Sequence, residues 1–509
     1  MKRVSHKQSR KNSAKRKRRV AARHARAGHW TAQPRPMMSS GKIHYEVGAN
    51  VDAMSYGGIG AVHRLVHKLG LPQLIDERIE LLKVHLPYHE SDHVLNLAYN
   101  VLCGGTRLED IEHLRHDTAY MDSLGADLIP DPTTAGDFCR RFNEQQIIEL
   151  MECINAVRPT LWTGRGKELM GPITYIDADG TIAPTLGEQK EGMHICYKGI
   201  WGYAPLIISV ANTKEVLYIV NRSGNAPSHL GAAEWIDRSI GLVAPHVERV
   251  CLRGDTDFSL TANFDRWAGR ADFLFGMDAH PTLVGQAQGL SESAWKCLQR
   301  REKYTTLTGQ TRERYQCNEK QRIVIEREYL NLRLNHEEVA EFNYRPGKCS
   351  KDYRVVVLRK NISKMKGELA LLDEIRYFFY ITTRTDLSAA EVVRCANQRC
   401  DQENVIEELK NGVNALRVPL YDLVSNWAYM VIAALAWNIK SWFAMMMHLK
   451  QDRQLYIAME FRRFLHSIIL IPCRVVRRAR TVVIRIIGYQ PTLDRLFSAW
   501  QTIERIRYG

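Results

Sequence analysis

The sequence predicts an α/β protein in three stretches: a helical segment, a sheet-forming core, and a β-rich insertion within that core. Three observations carry this. Residues about 55 to 165 keep apolar residues at helical spacing. Near residue 172 the texture changes to short runs of β-branched and aromatic residues, in the order β-β-β-α-β-α-β. From about 286 to 370 the chain is charged, with further β-like runs. The length of 509 residues allows about two to four domains, and 45% hydrophobic residues are enough for a sizeable core.

The elements follow in order. Residues 1–40 form a basic arm. Thirteen Lys and Arg and no Asp or Glu occur in the first 36 residues, which leaves about +2 of the net +15 for the rest. The arm lacks apolar periodicity and is expected to be disordered until it meets a partner. So long and one-signed a run favours nucleic acid over a merely solvated tail. Residues 41–165 are read as a helical, DNA-binding domain without a helix-turn-helix signature. Its helices are marked by Leu65, Val66, Leu69 and Leu71, by Val94, Leu95, Leu97 and Ala98, and by Phe138, Phe142 and Ile147 after Asp131-Pro132.

The core begins with residues 166–285. Its strands are Ile173 to Asp179, Leu206 to Val210, Val216 to Val220, Arg249 to Arg253 and Asp272 to Phe275. Helices lie at roughly Ser228 to Leu242 and Leu260 to Trp267. Residues 286–370 form the insertion, with runs Arg322 to Glu326 and Tyr353 to Leu358. Residues 371–450 return to the core through strand Tyr377 to Thr382. One long helix follows, opened by a Ser388–Glu391 capping box and closed at Gly412. The apolar stretch Ala428 to Met447 is broken by Asn438 and Lys440 and reads as a buried helix, not a membrane span. Its Trp427, Tyr429, Trp437 and Trp442 read as core packing. Residues 451–509 are a basic C-terminal region containing Arg474 to Arg480 and a strand-like run, Val482 to Ile486.

Eleven scattered cysteines, none in a C-x-x-C pair, argue against a disulfide framework and for a reducing cytoplasm. The charged N-terminus carries no secretory signal.

Three acidic residues fall at chemically suggestive places. Asp179 ends the first strand, Asp255 ends the fourth, and Glu403 lies within the long helix. Strand ends and a facing helix can gather carboxylates around one cavity, as phosphodiester cleavage with two hard cations about 3.5–4 Å apart requires. Oxygen ligands suit Mg²⁺ or Mn²⁺. Arg399, Glu403 and Lys410 share one face of an ideal helix at ~100° per residue, a spacing that ordinary surface ion pairs would also produce. His85, His89 and His93 are spaced by four, but Pro87 interrupts any helix there, so no metal site is read from them.

The stretch Ala396-Asn-Gln-Arg399-Cys-Asp-Gln-Glu403-Asn-Val-Ile-Glu-Glu-Leu-Lys410 resembles the Y-x-x-R-x-x-x-E-x-x-x-x-x-x-K signature of DDE transposases of bacterial insertion sequences, with Ala396 in place of the tyrosine. Asp179-Gly-Thr181 resembles the family's first-Asp motif and Arg253-Gly-Asp255 its second. Lys198-Gly-Ile-Trp-Gly-Tyr203-Ala-Pro205 resembles the segment between the first two strands. The resemblance implies a ribonuclease-H-like core interrupted by a β-rich insertion. It also implies metal binding and catalysis by Asp179, Asp255 and Glu403 with two Mg²⁺ or Mn²⁺ ions. DNA contacts are expected from Arg399, Lys410, Arg253 and Lys198. The implied partners are double-stranded DNA (terminal inverted repeats and target DNA) and a second protomer in the DNA complex, in a nucleoid-associated setting and without a membrane. Asp177 and Asp257 compete with Asp179 and Asp255 for the first and second positions.

Two other readings fit parts of the sequence. Ile176-Asp177-Ala-Asp179-Gly-Thr181 also matches the D-x-D-G-T motif of haloacid-dehalogenase-like phosphatases, in which Asp177 would be the nucleophile. The strand-rich sequence after the motif and the basic arm speak against it. A catalytically inactive DNA-binding protein would need only the arm and the helical domain.

Overall fold

The computed structural model describes residues 6–28, 38, 43–45, 52–298, 330–366, 369–478, 481–487 and 490–506. The run Arg322 to Glu326 lies outside them. The chain divides into two compact units. One comprises Met170–Ala183 and Met193–Ile406; the other comprises Met1–Leu169, Pro184–Gly192 and Glu407–Gly509.

The first of these units is built on a nine-stranded mixed sheet. Its strands are β1 (Thr174–Gly180), β2 (Leu206–Val210), β3 (Glu215–Val220), β4 (Val250–Gly254), β5 (Asp272–Met277), β6 (Lys296–Cys297), β7 (Leu330–Tyr344), β8 (Tyr353–Lys366) and β9 (Leu369–Thr382). Their spatial order is β6-β7-β8-β9-β5-β4-β1-β2-β3. β1 runs parallel to β4 and β4 parallel to β5, while β2 runs antiparallel to β1 and β3 antiparallel to β2. β2, β3 and β4 are buried along their whole length. That is why they read as unbroken apolar runs and not as alternating ones. Helix α1 (Ala232–Val243) connects β3 to β4 and packs on β1 and β2.

The charged stretch read as a β-rich insertion continues this same sheet. β7, β8 and β9 form an antiparallel meander, and β9 pairs with β5 from Phe379↔Met277 to Thr382↔Leu274. The return strand anticipated at Tyr377 is the end of the 14-residue β9. Its pairing with β8 carries it well beyond the apolar run that marks it in sequence.

The long helix after β9 is broken. α2 (Ala389–Asn397) opens with the expected capping box, in which Ser388 Oγ accepts from the Glu391 amide and the Glu391 carboxylate accepts from the Ser388 amide at 2.9 Å. A turn at Gln398 and Arg399 precedes α3 (Cys400–Glu407), and a π turn, Glu408–Gly412, ends the segment at the expected glycine. Nothing in local propensity demands the break. Hydrogen bonds between Gln402 and β2 override it.

In the other unit, helix Leu423–Met445 is buried over nearly its full length among helices Glu90–Leu102, Pro132–Arg140 and Glu144–Ala156. It was expected in the second part of the core but belongs with the N-terminal helices. Trp427, Tyr429, Trp437 and Trp442 are buried in it, as expected of core packing. Its lysine is accommodated by two contacts: Lys440 Nζ donates to Ile457 O at 2.6 Å and stands 4.0 Å from the Trp437 ring centroid. Among the described residues no helix is long and apolar enough to cross a membrane. Residues His6–Gly28 form a helix with mostly exposed described side chains, in place of the arm without fixed structure. The run is rich in Ala, Lys and Arg and free of proline, which favours helix. The basic C-terminal run forms strand Cys473–Arg478, paired with Thr481–Ile486. Cys473 and Val475 point inward, while Arg474, Arg477 and Arg478 are exposed.

Candidate active site

The period of two along a strand builds the site. Tyr175, Asp177 and Asp179 share one face of β1. The parallel register sets Tyr175 beside Cys251 and Asp177 beside Arg253, so Asp255, just past β4, follows on the same face. α2 covers the deeper part of that face through Val392, Val393 and Cys395. The carboxylates therefore run from a buried position to an accessible one along β1.

Asp177 is the buried one. It is fully inaccessible, and Arg253 grips it bidentately, Nε to Oδ1 at 2.7 Å and Nη2 to Oδ2 at 2.8 Å. Arg253 is itself only 3% exposed, lies 4.4 Å over the Tyr175 ring, and donates from Nη1 to Cys395 O at 3.2 Å. Burial pushes the Asp177 carboxyl above its usual range against the pull of Arg253. Burial likewise opposes the charge on Arg253, but Asp177 outweighs it and holds the guanidinium protonated. The expectation that Arg253 contacts DNA gives way here: every polar group it has faces inward, tying β1, β4 and α2 together.

Asp179 and Asp255 lie at the open end. Arg399, from the turn between α2 and α3, donates Nη1 to Asp179 Oδ2 at 2.9 Å. Burial raises the Asp179 carboxyl to about 6; Arg399 lowers it and the neighbouring Asp255 charge raises it. Burial also raises Asp255, with Arg399 opposing and Asp257 adding to the rise. The Asp255 charge thus bears on Asp179, and one guanidinium acts on both carboxylates. Asp255 Oδ1 accepts from the Asp257 amide at 3.0 Å, capping a 3-10 turn, Thr256–Phe258. Gly254 permits that turn: a Cβ there would sit 2.6 Å from the Phe258 Cβ. Asp257 is exposed and acts on Asp255 through its backbone amide and its charge.

Glu403 lies one turn beyond Arg399 on α3 and is exposed. Its neighbour Gln402 sets its place. Gln402 is buried, accepts a hydrogen bond from Ser209 Oγ, and donates from Nε2 to Ile207 O at 3.3 Å. Ile207 and Ser209 are the β2 partners of Asp179 and Asp177, so α3 is pinned over the strand pair that carries the carboxylates. Motif reading missed Gln402, because a buried amide inside an acidic signature leaves no pattern. The three-residue face expected for Arg399, Glu403 and Lys410 does not hold. Arg399 sits in the turn, and Lys410 falls in the π segment, within the other unit. Lys198 is exposed at the tip of a hairpin between His194–Ile195 and Trp201–Tyr203.

The histidines spaced by four diverge. His93 is buried and stacked on Phe138 at 4.4 Å. His85, His89 and Glu90 bring ligand atoms within 4.8 Å of one another. Glu90 is already engaged there, accepting from the amides of Leu81 and Leu82 and pairing with His85 at 3.1 Å, a contact that anchors the start of helix Glu90–Leu102.

Residues 46–508 match the family described as Transposase DDE domain group 1. No curated protein matches the chain. Among solved structures it is similar to the piggyBac transposase, seen by cryo-EM as a synaptic complex with hairpin DNA. The likeness has 9% identity and a TM-score of 0.37, covering 91% of this chain and 88% of that one. A likeness so distant assigns no role to any residue. The family match spans most of the chain, which therefore belongs to the group 1 DDE-domain transposases.

Proposed function

We propose that this transposase binds the ends of an insertion sequence and catalyses metal-dependent DNA cleavage and strand transfer, with Asp179, Asp255 and Glu403 as its metal-holding carboxylates. The observation that carries this reading is the placement of Asp179 and Asp255 on one face at the ends of the paired strands β1 and β4, with Arg399 donating to Asp179. The strand order β3-β2-β1-β4-β5 supports a ribonuclease-H-like core, with the β7–β9 meander as its insertion.

The donor set fits hard divalent cations. It offers carboxylate oxygens without thiolates, and two like charges that a cation would reconcile. Mg²⁺ or Mn²⁺, two per site, would activate the attacking water or 3′-hydroxyl and stabilise the leaving oxygen. Asp179 and Asp255 hold fixed positions because β1 and β4 are paired beneath them. Gln402 orients α3 so that Glu403 is presented at the same end. Arg399 neutralises carboxylate charge in the free protein and offers its remaining N–H groups to a scissile phosphate. Lys198 and the basic arm supply sequence-independent phosphate contacts. Lys410 is assigned to DNA by the family signature alone. Pairing of two element ends calls for a homodimer in the DNA complex.

The phosphatase reading needs Asp177 to reach a substrate, and Arg253 and complete burial prevent that. The test is cleavage of DNA carrying the element's own ends with Mg²⁺ or Mn²⁺. The wild type is expected to nick at the ends, and a folded protein without cleavage would favour the binding-only alternative.

A further inference from the structure

Apart from the phosphate contact assigned to Lys198, the hairpin from His194 to Tyr203 has no part in the machinery described so far, yet it is built with care. Its strands His194–Ile195 and Trp201–Tyr203 pair antiparallel, with His194 opposite Gly202 and Ile195 opposite Trp201. The turn is closed by Cys196 N to Ile200 O at 2.9 Å and Gly199 N to Cys196 O at 2.9 Å, with Gly199 at φ +73°. Its root is equally fixed. Tyr203 bridges to Ser223, and the backbone presses so closely on Gly224 that a Cβ there would lie 2.2 Å from His194 O and 2.3 Å from Gly202 O. This rigid element nevertheless holds its apolar groups in water: Tyr197 is 87% exposed and Trp201 50%, with Ile195 and Ile200 beside them.

We propose that this hairpin is a base-stacking finger for distorted DNA, in which Tyr197 and Trp201 stack on unpaired bases while Lys198 holds a backbone phosphate. This rests on the proposed action on DNA and deepens it. Three observations select this occupant. No Asp or Glu occurs from Gly192 to Lys214, while His194 and Lys198 lie within the hairpin, so the surface suits a polyanion that also presents flat apolar faces. Lys198 Nζ stands 5.4 Å from the Tyr197 ring centroid, placing a cation beside a stacking ring. The finger also springs from the site. Pro205 O accepts from the Thr181 amide at 3.0 Å, and Leu206 pairs with Gly180, next to Asp179. The five steps from Trp201 to Leu206 reach at most about 17 Å at ~3.3 Å each, so DNA lying over the carboxylates would pass within reach of Trp201. A preformed finger loses little entropy on binding, and aromatic stacking tolerates any base.

The test uses the full chain and a short duplex, either fully paired or carrying a mismatched bubble with 2-aminopurine. Affinity is read by anisotropy and stacking by 2-aminopurine fluorescence. The wild type is expected to prefer the bubble and to change the 2-aminopurine signal. Trp201→Ala and Tyr197→Ala should each lower bubble affinity about tenfold, leave affinity for the paired duplex unchanged, and abolish the signal; Trp201→Phe should restore it. Lys198→Ala should weaken both duplexes alike and reduce the salt dependence by about one phosphate contact. Retention of the bubble preference and signal by both ring variants overturns the proposal. So does sedimentation showing that the rings hold a second copy of the chain while stacking is unaffected. Failure of the proposed function is seen separately: a folded wild type that does not cleave DNA carrying the element's ends with Mg²⁺ or Mn²⁺ would sink that reading, whatever the hairpin does.

Discussion

Asp177→Asn separates a structural carboxylate from a catalytic one, and its consequences can be worked out from the contacts. The substitution removes the charge that faces Arg253, leaving a guanidinium that is 3% exposed beside a neutral amide with one acceptor where two were used. Breaking one partner of such a buried pair costs about 3–5 kcal/mol. In a unit of this size each kcal/mol shifts the melting temperature by about 2–4 °C, so a fall of roughly 6–20 °C is expected. Replacing both partners, Asp177→Leu with Arg253→Met, should recover most of it, since well-packed apolar residues substitute for a buried pair at little cost. Thermal unfolding followed by circular dichroism measures both. Below its melting temperature the Asp177→Asn protein should keep metal-dependent cleavage, while Asp179→Asn should not. An Asp177→Asn protein of unchanged stability that had lost cleavage would refute the reasoning and make Asp177 a ligand or nucleophile.

Three further predictions follow from single contacts. His93 is held at about 4, below its ordinary 6.5, chiefly by burial, and its Nδ1 has no hydrogen-bond partner among the described residues. The unfolded chain takes up that proton first, so stability falls as pH drops from about 6.5 to about 4, by at most about 3 kcal/mol. His93→Phe should keep the stack on Phe138 and melt higher relative to wild type at pH 5 than at pH 8; an identical difference at both would contradict this. Gln402→Ala removes two hydrogen bonds that seat α3, worth about 1–3 kcal/mol together, and should slow cleavage about ten- to a hundredfold with DNA affinity unchanged; a loss confined to affinity would count against a positioning role. Gly224→Ala should displace the hairpin and reproduce the loss of bubble preference seen with the ring variants, with the melting temperature of the remaining fold little changed.

The sequence disclosed the strands of the core because β2, β3 and β4 are buried on both faces and must be apolar throughout. It disclosed Asp179 and Asp255 because polar residues that interrupt such runs stand out at strand ends. It could not rank Asp177 against Asp179. Both lie on one face, and what separates them is the depth to which α2 covers that face. Nor could it show that Arg253 is turned inward, because an Arg-Gly-Asp motif is the same string whether its guanidinium faces phosphate or Tyr175. The break at Gln398 and Arg399 was hidden for a similar reason. It is stabilised by Ser209 and Ile207, almost two hundred residues away in sequence. The meander was underestimated because the long strands β7 to β9 owe their length to mutual pairing, which no local window reports.

The central claim is that Asp179, Asp255 and Glu403 act as one metal-holding set. Its most direct test is end cleavage with Mg²⁺ or Mn²⁺ by the wild type and by Asp179→Ala, Asp255→Ala and Glu403→Ala, each checked for an intact fold and for DNA binding. The account predicts that all three fall to background cleavage while still binding DNA. Undiminished metal-dependent cleavage by any one of them, Glu403→Ala above all, would contradict it.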